Sequence, residues 1–190
     1  METYQLKEIA KVIAGSTAPK DKNFNMTEGL PFIRAGHLDF LCEGGDLGEL
    51  PKVHINNKLV NAPVNTLLFA KSGMSCMKNR LYVTRREAYI VNHLAGIICN
   101  KRDININYLK YYFIKNPPNK LVNDTAYPSI RLSDIENISI SIPSFEEQNK
   151  IVNILDKSML IINKRKNQIN ACDELIKSRF IIKNICTISK

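Results

Sequence analysis

What this sequence lacks narrows it quickly. None of its 190 residues sits in an apolar run approaching the ~20 that a membrane helix requires. The opening "METYQLKEIAK" alternates acidic and basic groups around no apolar segment, so neither a membrane span nor a secretory leader is expected. Cysteine is sparse, odd in number and never spaced as CxxC: Cys42, Cys76, Cys99, Cys172 and Cys186. That pattern predicts free thiols in a reducing, cytoplasmic setting and excludes a zinc cluster. His37, His54 and His93 fall at no ligand spacing, so no metal and no cofactor are expected.

Acidic residues are missing from one stretch in particular. Residues 51–120 carry 12 basic and only 2 acidic groups, whereas residues 1–50 carry 5 basic and 8 acidic ones. The formal net charge of +9 is therefore concentrated in the middle third, as a surface facing a polyanion requires. With 44% apolar residues the chain can bury a core, and its length suits one domain with an appendage or two small units.

Asn116-Pro117-Pro118 begins like the Asn-Pro-Pro-aromatic signature of amino-group DNA methyltransferases, which act on a flipped-out base. Two features are missing. The fourth position is Asn119, with no ring to stack, and no glycine-rich cofactor loop follows a first strand. The motif is read as a helix stop, and a methyltransferase remnant is the weakest of the alternatives. No carboxylate cluster suggests a nuclease. The chain is not expected to be an enzyme.

The pattern of the first 143 residues is mixed. A short helical turn at Leu6, Ile9 and Ala10 leads into a strand that breaks at Gly15 and Pro19. Alternation between Pro31 and Phe40 predicts a strand, and "VNTLLFAKSG" an apolar one ending at Ser72-Gly73. "RLYVTRREAYIVNHLAGIIC" predicts a hairpin, with Leu81–Thr84 turning at Arg85-Arg86-Glu87 into Ala88–Leu94, and a further strand at Gly96–Cys99. "NINYLKYYFIKN" is a short helix closed by Pro117-Pro118, and "NISISIP" an alternating strand.

Beyond Pro143 glycine and proline vanish. Ser144 and Glu147 form an S-x-x-E capping box, the signature of a helix start. Leu155, Ile162, Ile169 and Ile176 then recur every seven residues, flanked by Val152, Met159, Cys172, Leu175 and Phe180. Roughly 37 residues at ~1.5 Å each make a helix of about 55 Å. Such a stripe needs a partner helix, and no second long helical pattern exists in the chain. The partner must come from another molecule.

Three blocks, in order, carry a family resemblance: "LKEIAKVIAGST", "LLFAKSGMSCMKN" and "IRLSDIENISISIPSFEEQNKIVNILD". Together they resemble the specificity subunits of type I restriction-modification systems, with Ser144 standing where the closing block usually has a second proline. The resemblance implies an α+β chain with one mixed α/β DNA target-recognition domain (1–143), a long C-terminal spacer and dimerisation (coiled-coil) helix (144–182), and a tail (183–190). It implies double-stranded DNA and a methyltransferase (modification) subunit as partners. It also implies that methylation belongs to that separate subunit.

Within that frame, Lys71, Ser72, Lys78, Asn79 and Arg80 offer groups that read guanine, read adenine or hold phosphate; the plain alternative is a solvated basic turn. Arg85 and Arg86 form a tip that meets either phosphates or water. Of Arg34 and His37, one is a candidate structural residue. Thr17, Lys20 and Lys22 lie on a loop suited to enter a groove. Tyr127 either faces DNA or packs under Pro128, and Met74 and Met77 are read as packing. On the helix, Val152, Leu155, Met159, Ile162, Ile169, Leu175 and Ile176 form the expected homodimer seam, while Lys164-Arg165-Lys166 is read as a solvated face. The leading expectation is an antiparallel homodimer that directs methyltransferase, with or without endonuclease, to a bipartite site. The runner-up is an orphan half-subunit that exchanges recognition domains with a full-length one.

Overall fold

The computed structural model describes residues 2–20, 23–25 and 27–188, with side chains through residue 179. The chain divides into two units, Met1–Asn149 and Lys150–Lys190.

The first unit opens with β1 (Glu2–Gln5), α1 (Leu6–Ile9) and β2 (Ala10–Ala14). The Gln5 amide donates to Glu8 Oε2 at 2.6 Å, which closes the one-turn helix and lets Leu6 and Ile9 sink completely. Next come β3 (Phe24–Asn25), β4 (Leu30–Ile33), α2 (His37–Cys42), β5 (Lys52–Val53), β6 (Asn61–Ala62) and β7 (Leu67–Ala70). β8 (Tyr82–Val83), β9 (Ala88–Ile90), β10 (Leu94–Cys99) and α3 (Ile106–Lys115) follow, then α4 (Leu132–Glu136), β11 (Ser139–Ile142) and α5 (Phe145–Ile188).

Two sheets carry the unit. One is antiparallel, in the order β2-β10-β7-β8; the other is mixed, in the order β3-β5-β4-β9-β6, with β4 and β9 parallel. α3 covers β7, where Phe113 and Phe69 meet with ring centroids 6.2 Å apart. β1 pairs with β11 in a ribbon, and the hydroxyls of Tyr108 and Tyr112 on α3 donate to the carbonyls of Ser141 and Ser139 at 3.0 and 2.8 Å.

Two expectations are corrected. The 31–40 segment is a strand only to Ile33. Arg34 and His37 then bond reciprocally, backbone amide of Arg34 to His37 Nδ1 at 3.2 Å and amide of His37 to the Arg34 carbonyl at 3.0 Å, which turns the chain into α2. The expected hairpin about Arg85-Arg86 does not exist either, because β8 pairs with β7 while β9 lies between β4 and β6. Thr84 ends the first sheet, accepting from the Thr66 amide at 2.8 Å and donating to the Pro63 carbonyl at 2.6 Å. Arg85-Arg86 is thus a crossover between sheets. β9 is buried throughout, which hides the alternation that would have marked its pairing.

α5 begins as expected. The Ser144 amide donates to Glu147 Oε2, and the Glu147 amide returns a bond to Ser144 Oγ, both at 3.3 Å. The helix continues to Ile188, past the expected end at residue 182. Its 44 residues correspond to about 66 Å.

Candidate nucleic-acid interface

The sheets meet at the turn Val91-Asn92-His93, between β9 and β10, and three backbone segments are pinned to it. The Asn92 amide donates to the Ser16 carbonyl at 2.9 Å, the Val91 amide to the Ile33 carbonyl at 3.0 Å, and the Lys71 amide to the His93 carbonyl at 2.9 Å. The fourth link is a side-chain one, Ser72 Oγ to His93 Nδ1 at 2.8 Å. The close approach explains Gly15: a Cβ there would stand 2.2 Å from the Ile90 carbonyl oxygen. Three segments distant in sequence, carrying Thr17, Arg34 and Lys71-Ser72, are therefore gathered at one end of the sheets. Thr17 and Lys20 are exposed on the first of them; Lys22 lies outside the described residues.

The loop after Ser72 is fixed from both sides. Gly73, at φ +74°, donates to the Pro128 carbonyl at 2.9 Å, and the Ile130 amide donates to the Lys71 carbonyl at 2.8 Å. Asn119, the residue that spoils the methyltransferase signature, donates through Nδ2 to the Met77 carbonyl at 3.1 Å. The "NPPN" stretch does stop α3 at Lys115, and it also braces this loop. Tyr127 is 84% exposed beside the Gly73–Pro128 bond, so it is not packed under Pro128. Met74 is 70% exposed as well, which overturns its reading as a packing residue.

Electrostatics divide the candidate cations. Asp39 on α2 receives Lys78 Nζ on Oδ2 and Arg80 Nε on Oδ1, each at 2.6 Å, and Arg80 Nη2 lies 3.7 Å from Glu43 Oε1. The hydrogen bond from Lys78, followed by that from Arg80, holds the Asp39 carboxyl below its ordinary range. Asn79, between the two cations, adopts the left-handed conformation (φ +48°) and buries Oδ1 without a hydrogen-bond partner. Arg86 Nη2 lies 3.4 Å from Asp46 Oδ1. The β7–β8 register places Arg85-Arg86 at the Thr66 end of β7, opposite Lys71-Ser72, so the structure does not join them to the cluster.

Arg34 stacks its guanidinium 5.0 Å from the Phe24 ring centroid. His37 is half-buried, and burial, with the Arg34 charge as the second cause, pushes its imidazole below the usual value. With Nδ1 accepting the Arg34 amide, His37 serves the turn and Arg34 presents the charge. Sequence reasoning passed over Asn92 and His93, both exposed at the junction. It also passed over Gln148, which is fully buried. Gln148 accepts from the Asn105 amide at 2.9 Å and donates to the Asp103 and Pro143 carbonyls at 3.0 Å. Its only signal was a polar residue inside the closing block.

Val152 is buried, and Leu155 is partly exposed. Met159 (41%), Ile162 (46%), Ile169 (60%), Leu175 (65%) and Ile176 (65%) stand in solvent. Among the described residues no cluster of His, Cys, Asp and Glu suits a metal, and no helix is long and apolar enough to cross a membrane.

These observations define an α+β module of one antiparallel and one mixed sheet, followed by a long helix. A profile of the type I restriction modification DNA specificity domain matches residues 1–171, and the chain belongs to that family. It is 32% identical over 148 residues to the type I restriction enzyme MjaIX specificity subunit of Methanocaldococcus jannaschii. That match takes in 75% of this chain and 34% of the relative, so the chain spans about a third of the curated protein's length.

Solved structures share the fold. The HsdS subunit of Thermoanaerobacter tengcongensis superimposes with a TM-score of 0.65 at 22% identity, over 85% of this chain and 38% of that one. A chain from a study of complex assembly and conformational transition of the type I restriction-modification system gives 0.67 at 21%, over 87% and 40%. The S subunit from M. genitalium gives 0.59 at 16%, over 86% and 41%. The family's chains are specificity subunits, the non-catalytic DNA-recognition components of these systems.

Proposed function

We propose that this chain recognises one half of a DNA site through the loops gathered at Val91–His93 and pairs through α5 with a second helix. The observation that carries the reading is the contrast on α5 between its start, fixed by Gln148, and its exposed apolar stripe. DNA contact is assigned to Thr17, Lys20, Lys22, Arg34, Lys71, Ser72, Lys78, Asn79, Arg80 and Tyr127. Arg85 and Arg86, away from that cluster, would meet flanking phosphates, and His37 would act only by shaping its turn. The pairing seam is assigned to Leu155, Met159, Ile162, Ile169, Leu175 and Ile176.

In an antiparallel homodimer, two-fold symmetry sets two recognition units more than one duplex turn (~34 Å) apart. The dimer then reads an inverted, bipartite sequence with an unread spacer and brings a methyltransferase subunit to it in the cytoplasm. Neither catalysis nor a cofactor is asked of this chain. Reconstitution with the methyltransferase encoded beside it, followed by mapping of the methylated bases, tests this: an interrupted inverted repeat supports it, and a continuous or asymmetric site contradicts the symmetric dimer. A second reading, pairing with a longer specificity subunit to exchange recognition domains, is favoured by the greater length of the relatives. It predicts an asymmetric site and co-purification with the longer chain.

A further inference from the structure

We propose that Asp39 is a specificity-determining residue that touches no base: it withholds Lys78 and Arg80 from the phosphates of unspecific DNA. The inference rests on the reading that the 71–80 loop faces the duplex.

Lys78 and Arg80 are two of the cations best placed to meet a polyanion, yet one carboxylate takes both, one oxygen each at 2.6 Å. Glu43 backs the outer edge of the Arg80 guanidinium at 3.7 Å. These are part-exposed pairs, with side-chain exposures of 54% for Lys78, 41% for Arg80 and 32% for Asp39, so competing anions reach them. Exposed pairs of this kind are weak and readily exchanged. Unspecific affinity comes from phosphate neutralisation and the counterions it releases. A cation already paired to a carboxylate releases no counterion, and the carboxylate itself repels the approaching backbone.

Asp39 therefore subtracts from the sequence-independent part of binding. The subtraction is recovered only where Arg80 exchanges its carboxylate for the acceptors of a base edge, the kind of contact that discriminates sequence. Asn79 has a part in the exchange. It lies between the two held cations in sequence, and its Oδ1 is buried without a partner, so a rearrangement that supplies one adds a hydrogen bond. Discrimination here is raised by weakening the wrong complex as well as strengthening the right one.

The test uses the full chain and a mixed-sequence duplex of arbitrary sequence, with binding followed by fluorescence anisotropy over a salt series. Asp39→Asn is expected to tighten unspecific binding by on the order of tenfold at low salt and to steepen the log K against log salt slope by up to about 2. Adding Lys78→Gln and Arg80→Gln to Asp39→Asn is expected to return both to the wild-type values. Asp39→Ser, which removes the same charge, is the second variant, with circular dichroism verifying the fold of each. An unchanged slope in both Asp39 variants overturns the proposal, as does a gain that persists without Lys78 and Arg80. Lys71→Gln, outside the Asp39 pairs, is expected to weaken binding in every background. If it does not, the placement of the loop on DNA fails, whatever the Asp39 variants show.

Discussion

The two units treat their apolar residues in opposite ways. In the recognition unit Leu67, Leu68, Leu94 and Ile97 have no exposed surface, and Phe113 is sealed against Phe69. In the helix Ile154, Ile161, Ile169, Leu175 and Ile176 are each 60–65% exposed. The first unit has solved its burial problem within one chain. The second has not, and a long helix in water draws most of its stability from packing of an apolar face rather than from propensity. One sequence thus encodes a self-sufficient module and a half-finished one. The difference marks the exposed apolar positions of α5 as the place where the proposed pairing would act.

Perturbations of the self-sufficient side should be large and local. Phe113→Ala should cost about 3–5 kcal/mol, the usual range for emptying a buried aromatic site, and urea unfolding of the recognition unit measures it. Gln148→Ala should cost about 1–3 kcal/mol, because the Asn105 amide and the Asp103 and Pro143 carbonyls lose the partner that the fully buried Gln148 side chain supplies. The same unfolding midpoint reads it out. Ser144→Ala should cost about 1 kcal/mol through the lost helix cap. Circular dichroism at the helix band should fall slightly before the recognition unit melts.

The smallest effect is in pH. His37 has a folded pKa below its unfolded value of about 6.5, so the folded state favours the neutral ring. Its contribution is complete above that pH and is lost as pH falls through the folded pKa, because the unfolded chain binds the proton first. His37→Asn should flatten the drop in Tm between about pH 7.5 and about pH 5.5 relative to wild type. An unchanged drop would assign it to other groups.

Much of this was legible in the sequence because it is local. The capping box at Ser144, the short helix ended by Pro117, and the strand "NISISIP" depend on neighbours a few residues apart. The seven-residue spacing of Leu155, Ile162, Ile169 and Ile176 marked a stripe that is indeed uncovered in the single chain at its outer positions. What escaped is non-local. The crossover at Arg85-Arg86 depends on Thr84 bonding back to Thr66 and Pro63, and β9 gave no alternation because both its faces are covered. The pairing of Lys78 and Arg80 with Asp39 joins residues about forty positions apart, so the basic loop looked freer than it is. His93 and Asn92 matter only because three other segments fold onto them.

Solution mass decides the central claim most directly. Measured by light scattering at micromolar concentration, the wild-type chain should weigh twice one chain. Ile162→Asp combined with Ile169→Asp should weigh one, with the thermal stability of the recognition unit unchanged. A wild-type chain that stays single across that range, or a double variant that stays paired, would contradict it.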